Sequence, residues 1–217
     1  MNKKDVIAET EKMIKEKLNG EGSGHDWWHV LRVWKLAKRI GEEEKADTFI
    51  VQMGALLHDV ADWKSNDGDL EAGGRVSREW LLEVGVDKDT TEVIVDIVNN
   101  VSFKGAGVED KMKSIEGKAV QDADRLDAMG AMGVGRVFTY GGHKGRAMYD
   151  PEETARPAGD FEAYKAAGQT SINHFYEKLL LLKDRMNTET GRKLAEGRHK
   201  FMEEFLNEFY AEWNGEK

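Results

Sequence analysis

Cysteine is absent from this chain of 217 residues. Without a thiol there can be no disulfide framework, zinc ribbon, cysteine nucleophile or iron–sulfur ligand set. The absence suits a reducing compartment, and the expected location is cytoplasmic. Proline occurs only twice, at Pro151 and Pro157, so the residue that most often breaks helices is nearly missing. No apolar run approaches the ~20 residues of a membrane span. The charged start Met1-Asn2-Lys3-Lys4-Asp5 leads into no signal-peptide core. No membrane partner is therefore expected. Sustained two-residue alternation, internal repeats and low-complexity tracts are missing too, which leaves an all-α reading. Positive charge is in deficit: 32 Lys and Arg stand against 41 Asp and Glu, a net charge of −9. That balance argues against a stable nucleic-acid complex. It leaves room for a small anionic substrate, because the local field counts for more than the total.

What is present is helical periodicity. The expected architecture is one domain over 1–217, an orthogonal multi-helix bundle with its core motifs in 25–130. Residues 3–18 form an amphipathic helix, broken by Asn19-Gly20-Glu21-Gly22-Ser23-Gly24. A second runs from His29 to Ile40 with Gly41 as its C-cap. Asp47 N-caps a third, whose stripe is Phe49, Ile50, Met53, Leu56, Leu57 and Val60. Helices follow over 71–84 and 89–101. The stretch 116–140 reads as largely helical, with a kink at Gly130 to Gly135 and an end at Gly141-Gly142. Residues 141–159 form the longest irregular stretch and the expected flexible loop. Two helices over 160–186 and 188–213 close the chain, with Met and aromatic stripes assigned to core.

One dipeptide stands out: His58-Asp59, at the end of the apolar run Met53 to Leu57. Neighbours on a helix point about 100° apart. Both can touch one ion only if it lies against the side of that helix and other helices complete the set. His29 and Asp124 lie in such helices. Two His and two carboxylates suit a divalent ion such as Mn, Fe, Ni, Zn or Mg. Asp124 shares a face with Val120, Asp127, Ala128 and Ala131, where an unpaired carboxylate would be costly. A rival reading takes His25 and His29, at i and i+4, as a zinc-protease pair. Position 26 is Asp, however, too short to serve as the base.

Together these segments resemble the HD-domain superfamily of metal-dependent phosphohydrolases, which is all-helical. Gly24-His25-Asp26-Trp27-Trp28-His29, Ala55 to Asp62 and Asp122-Ala123-Asp124-Arg125-Leu126-Asp127 are similar to its small stand-alone bacterial members. So are Val101-Ser102-Phe103-Lys104-Gly105 and Phe138 to Arg146. The resemblance covers roughly residues 20–210 and implies His29, His58, Asp59 and Asp124 as ligands of one divalent ion, Mn favoured. No histidine lies between Asp59 and Asp124. Dinuclear phosphodiesterase relatives carry extra His ligands there, so a single ion is expected. The Gly-Tyr-Pro motif of cyclic-dinucleotide-cleaving relatives is absent as well.

The resemblance further implies Asp62, three residues after Asp59, as an acid/base residue, with Asp67 in support. Phosphate contacts are expected first from Lys104 and Arg125, then from Arg32, with Lys64 and His25 also near the motifs. Arg75, Lys144, Arg146 and Arg156 are more distant candidates. Trp27 and Trp28 offer faces for a base, at least one of them being core. The implied partner is a small phosphorylated substrate, a nucleotide. The implied reaction is hydrolysis of a nucleoside triphosphate to monophosphate and pyrophosphate, or of a monophosphate to nucleoside. A non-catalytic metal-stabilised nucleotide sensor is the alternative class.

Overall fold

The computed structural model describes residues 1–20, 26–61, 69, 71–103, 110–155 and 170–217. No strand occurs among the described residues; the chain is all-α. Its α-helices are α1 (Lys3–Lys17), α2 (Trp27–Glu43), α3 (Thr48–Leu57), α4 (Ala72–Glu83), α5 (Lys88–Asn100), α6 (Ile115–Asp127), α7 (Gly130–His143), α8 (Ser171–Glu177) and α9 (Glu189–Trp213). A 3₁₀ segment, Leu179–Arg185, lies between α8 and α9.

Six helix starts follow short polar side chains that accept otherwise unpaired N–H groups, whereas α4 and α7 have no side-chain cap. Asn2 serves α1, Asp26 serves α2 and Asp47 serves α3. Asp87, Thr170 and Thr188 do the same for α5, α8 and α9.

The chain divides into two compact units, with the boundary inside α6. One takes in Met1–Phe103 and the residues leading to Asp124; the other runs from Arg125 to Lys217. In the first, α3 is central and packs on α1, α2 and α5. Seven of its ten residues are buried, from Phe49 to Leu57. Four of them, Phe49, Met53, Leu56 and Leu57, join Val6, Ile14, Val30, Leu81, Ile94 and Val98 in one core. In the second unit, α9 packs on α7 and the 3₁₀ segment. Phe175 lies buried there, with Phe205 stacked on it at 5.7 Å between centroids.

Several expected boundaries move, for local reasons. α2 continues through Gly41 to Glu43, so Gly41 is not a cap. It is a close-approach residue: a Cβ there would lie 3.0 Å from Val51 Cγ2. The chain turns after Glu44 instead, with Lys45 at φ 60°. The 116–140 stretch is two helices rather than one kinked helix. It breaks at Ala128-Met129, and Gly130 takes φ +67°, open to glycine at little cost. α7 passes through Gly141-Gly142 and stops at His143, with Gly145 at φ +66° just beyond. Of the expected helix over 160–186, only α8 and the 3₁₀ segment fall among the described residues. In α9 the aromatic stripe is only partly core: Met202 is fully buried, whereas Phe201 and Trp213 are 44% and 49% exposed.

Candidate metal centre

Three helix ends meet in the first unit. His29 is in the first turn of α2, where Asp26 fixes the backbone by accepting from the His29 N–H at 2.8 Å. That capping bond also answers the protease reading. Asp26 is engaged as the cap, and the helix begins only at Trp27. His58 and Asp59 lie in the turn that leaves α3, not on the side of the helix as the dipeptide suggested. Asp124 comes from the last turn of α6. Gly54 sets the spacing. A Cβ there would lie 3.1 Å from Ile97 Cγ2 and 3.4 Å from Val120 Cγ2. One helical turn on from Gly54 is His58, and one turn on from Val120 is Asp124. The close approach of α3 to α6 thus brings the two ligand-bearing turns together.

The donors converge. His29 Nε2 lies 3.2 Å from His58 Nε2, 3.3 Å from Asp59 Oδ2 and 3.5 Å from Asp124 Oδ1. His58 Nε2 lies 3.5 Å from Asp59 Oδ2 and 3.9 Å from Asp124 Oδ1. Bonds of ~2.1 Å to one ion would set neighbouring ligands about 3.0 Å apart in an octahedron and about 3.4 Å apart in a tetrahedron. The observed separations, 3.2 to 3.9 Å, lie around the tetrahedral spacing and above the octahedral one. Ligand atoms of His29, His58 and Asp59, one from each, lie within 4.8 Å of one another. The two histidine side chains are 1% exposed, Asp59 9% and Asp124 28%, so the cluster opens on the Asp124 side.

The donor chemistry fits a cation. His58 Nδ1 is 2.7 Å from the Ala55 carbonyl, which can only accept. The ring proton therefore sits on Nδ1 and the Nε2 lone pair points into the cluster. A carbonyl left open by the end of α3 fixes the tautomer and the ring together. The two imidazoles meet edge to face at 70°, arriving from different directions. Imidazole nitrogens and carboxylate oxygens this close repel unless a proton or a cation lies among them.

The remaining expected residues divide. His25, Asp62, Lys64, Asp67, Lys104 and Arg156 lie outside the described residues. Arg32 is half-buried on α2, one turn after His29. Arg125 is 5% exposed, and its Nη1 donates to the Arg185 carbonyl at the end of the 3₁₀ segment. Trp27 is core, and Trp28 is 61% exposed. Arg75 is paired with Asp69, which holds that carboxyl below its usual range. Lys144 and Arg146 sit over the Tyr140 ring.

Some supporting residues carried no sequence signal. Gln121, 1% exposed and one turn before Asp124, donates from Nε2 to the Asn100 carbonyl and to Asp110 Oδ1, both at 3.1 Å. It ties α6 to both ends of the 101–110 segment. Asp127 belongs to the same motif as Asp124 but pairs with Arg136 at 2.6 Å. Arg198 of α9 donates to the Leu126 carbonyl in the same turn.

The HD domain family model matches residues 27–129. Bacillus subtilis uncharacterized protein YpgQ is 44% identical over 196 residues, 90% of this chain and 87% of its own. An HD-superfamily hydrolase structure from Bacillus thuringiensis aligns with a TM-score of 0.76 at 43% identity, over 98% of this chain and 99% of that one. The structure of Bacillus subtilis YpgQ in complex with ADP aligns with a TM-score of 0.75 at 36% identity, over 95% of this chain and 97% of that one. The motif model spans the site, and the relatives match nearly end to end: the chain belongs to the HD-domain superfamily.

Proposed function

We propose that this chain is a metal-dependent phosphohydrolase that cleaves a nucleoside triphosphate to monophosphate and pyrophosphate. The observation that carries the reading is the convergence of His29, His58, Asp59 and Asp124 at ion-sized separations. These four would hold one divalent ion, which supplies Lewis acidity at a phosphoryl oxygen. The other residues do the rest. Asp62 accepts a proton from the attacking water, with Asp67 in support. Lys104, Arg32 and Lys64 neutralise the phosphates, and His25 is a further substrate contact. Arg125 is assigned a different task from the one its motif suggested. Buried and bonded to the Arg185 carbonyl, it anchors the end of α6.

The ADP complex of YpgQ supports a nucleotide ligand. The open side at Asp124 is where a substrate would enter. The test is product identification. Protein treated with chelator and resupplied with Mn²⁺ is given a panel of nucleoside tri-, di- and monophosphates. Release of monophosphate and pyrophosphate, abolished by chelator, is the expected result. Orthophosphate from monophosphates would move the reading to a nucleotidase, and no turnover of any nucleotide would leave the sensor reading.

A further inference from the structure

Asp124 differs from its three companions. The other ligand side chains are almost wholly buried, and two of them are held by groups close by in the chain: Asp26 fixes the His29 backbone and the Ala55 carbonyl fixes the His58 ring. Asp124 is 28% exposed and sits in the last turn of α6. The last turn of a helix frays unless its free carbonyls find donors. A ligand set has to be held to within about 0.5 Å, so a fraying turn would be a poor place for one of its members.

The three residues that follow Asp124 are each gripped by a different element of the second unit. Arg125 donates to the Arg185 carbonyl at the end of the 3₁₀ segment. The Leu126 carbonyl accepts from Arg198 of α9, besides the Met129 N–H at 3.0 Å. The Asp127 carboxylate pairs with Arg136 of α7 at 2.6 Å. Asp127 acts on Arg198 as well: burial pushes that guanidinium below its ordinary value, and the Asp127 charge opposes the shift. Glycines make room for the grip. A Cβ on Gly130 would lie 3.0 Å from Arg198 Cγ and 3.1 Å from its Cβ, and one on Gly133 would run into the Ala128 carbonyl. Helix α9 and the first turn of α7 therefore close directly on the end of α6.

Plain stability is a poor reason for this arrangement. Asp127 is 3% exposed. A buried ion pair returns little net stability, because taking both charges out of water offsets much of their attraction. What it supplies is a fixed direction and distance. Asp127 comes three residues after Asp124, so the two carboxylates leave α6 on the same face, less than one turn apart. We propose that Asp127, Arg136 and Arg198 are positioning residues. They lock the last turn of α6 and so hold the Asp124 carboxylate where one divalent ion can share it with His29, His58 and Asp59. The inference rests on the metal reading of the site.

The test is calorimetric titration of the full chain, stripped of metal, with Mn²⁺, alongside its melting temperature. Asp127→Asn keeps size and removes the charge. Arg198→Met keeps the stem against Gly130 and removes the donor. Each should weaken Mn²⁺ binding about tenfold or more, the scale of losing a group that orients a ligand. Arg136→Lys should recover part of what Arg136→Met loses. Thr188→Ala, which removes the α9 N-cap, should lower the melting temperature and leave the Mn²⁺ affinity at the wild-type level. If Asp127→Asn does not fold, Arg198→Met decides. Positioning variants that bind Mn²⁺ as tightly as wild type, or a Thr188→Ala variant that weakens binding equally, would overturn the proposal while the metal reading stands. A wild type that takes up no Mn²⁺ would overturn both.

Discussion

His58 shows how much of the site depends on single atoms. Its Nδ1 proton is held by the Ala55 carbonyl and its Nε2 faces His29 and two carboxylates. The pattern of two His and two Asp exposed this chemistry to sequence reasoning, because few other arrangements need those types at helix ends. The assignment of Asp62 as proton acceptor gives a sharp test. Asp62→Asn keeps size and shape, so kcat should fall about 10²–10⁴-fold with bound metal retained. Loss of metal would make Asp62 a ligand, and preserved kcat with lower stability would make it a cap. A second prediction separates two cations that looked alike in the sequence. Lys104→Met should lower kcat/KM about tenfold or more with little change in melting temperature. Arg125→Met should instead cost roughly 1–3 kcal/mol of stability, because the Arg185 carbonyl loses its donor. Thermal denaturation and steady-state kinetics on both variants decide. The bond from Arg125 to a backbone carbonyl 60 residues away follows from no sequence pattern. Gln121 was hidden for the same reason, as two of its partners are main-chain carbonyls of Asn100 and Val101.

At the scale of elements, helix interiors followed from apolar spacing, and the ends depended on packing. Gly41 reads as a stop in sequence, but Val51 presses on it from α3 and the helix continues. A break does come near Gly130, whose left-handed φ opens α7 just after α6 ends at Asp127. Helix α8 adds a pH-sensitive element. Burial pushes the His174 imidazole below its ordinary value of 6.5, against the pull of Glu177 at 3.8 Å; Lys178 and Arg146 push it further down. The unfolded chain then takes up the proton first. This contribution to stability is complete above about pH 6.5, falls as pH drops towards the folded pKa, and is constant below it. His174→Gln should therefore flatten the melting-temperature profile as pH falls below about 6.5. A parallel profile in the variant would show that another group sets the acid limb.

At the scale of the whole molecule, the all-helical class was readable because nothing in the chain alternates with a period of two. The division at Asp124 was not, since it falls inside α6, where the periodicity is unbroken. Reading 1–217 as a single domain predicts one cooperative unfolding transition. Tryptophan fluorescence reports mainly on the first unit through Trp27, Trp34 and Trp80, whereas far-UV circular dichroism reports on both. Coincident curves support the single domain, and separated midpoints contradict it. The central claim is that one ion, held by His29, His58, Asp59 and Asp124, supports hydrolysis of a nucleotide. Its most direct test is a stoichiometric titration: metal-free protein, at a concentration well above the dissociation constant, receives Mn²⁺ in steps while nucleotide turnover is followed. Turnover should rise linearly and break at one ion per chain. Turnover without metal, or a break at two ions per chain, would contradict the account.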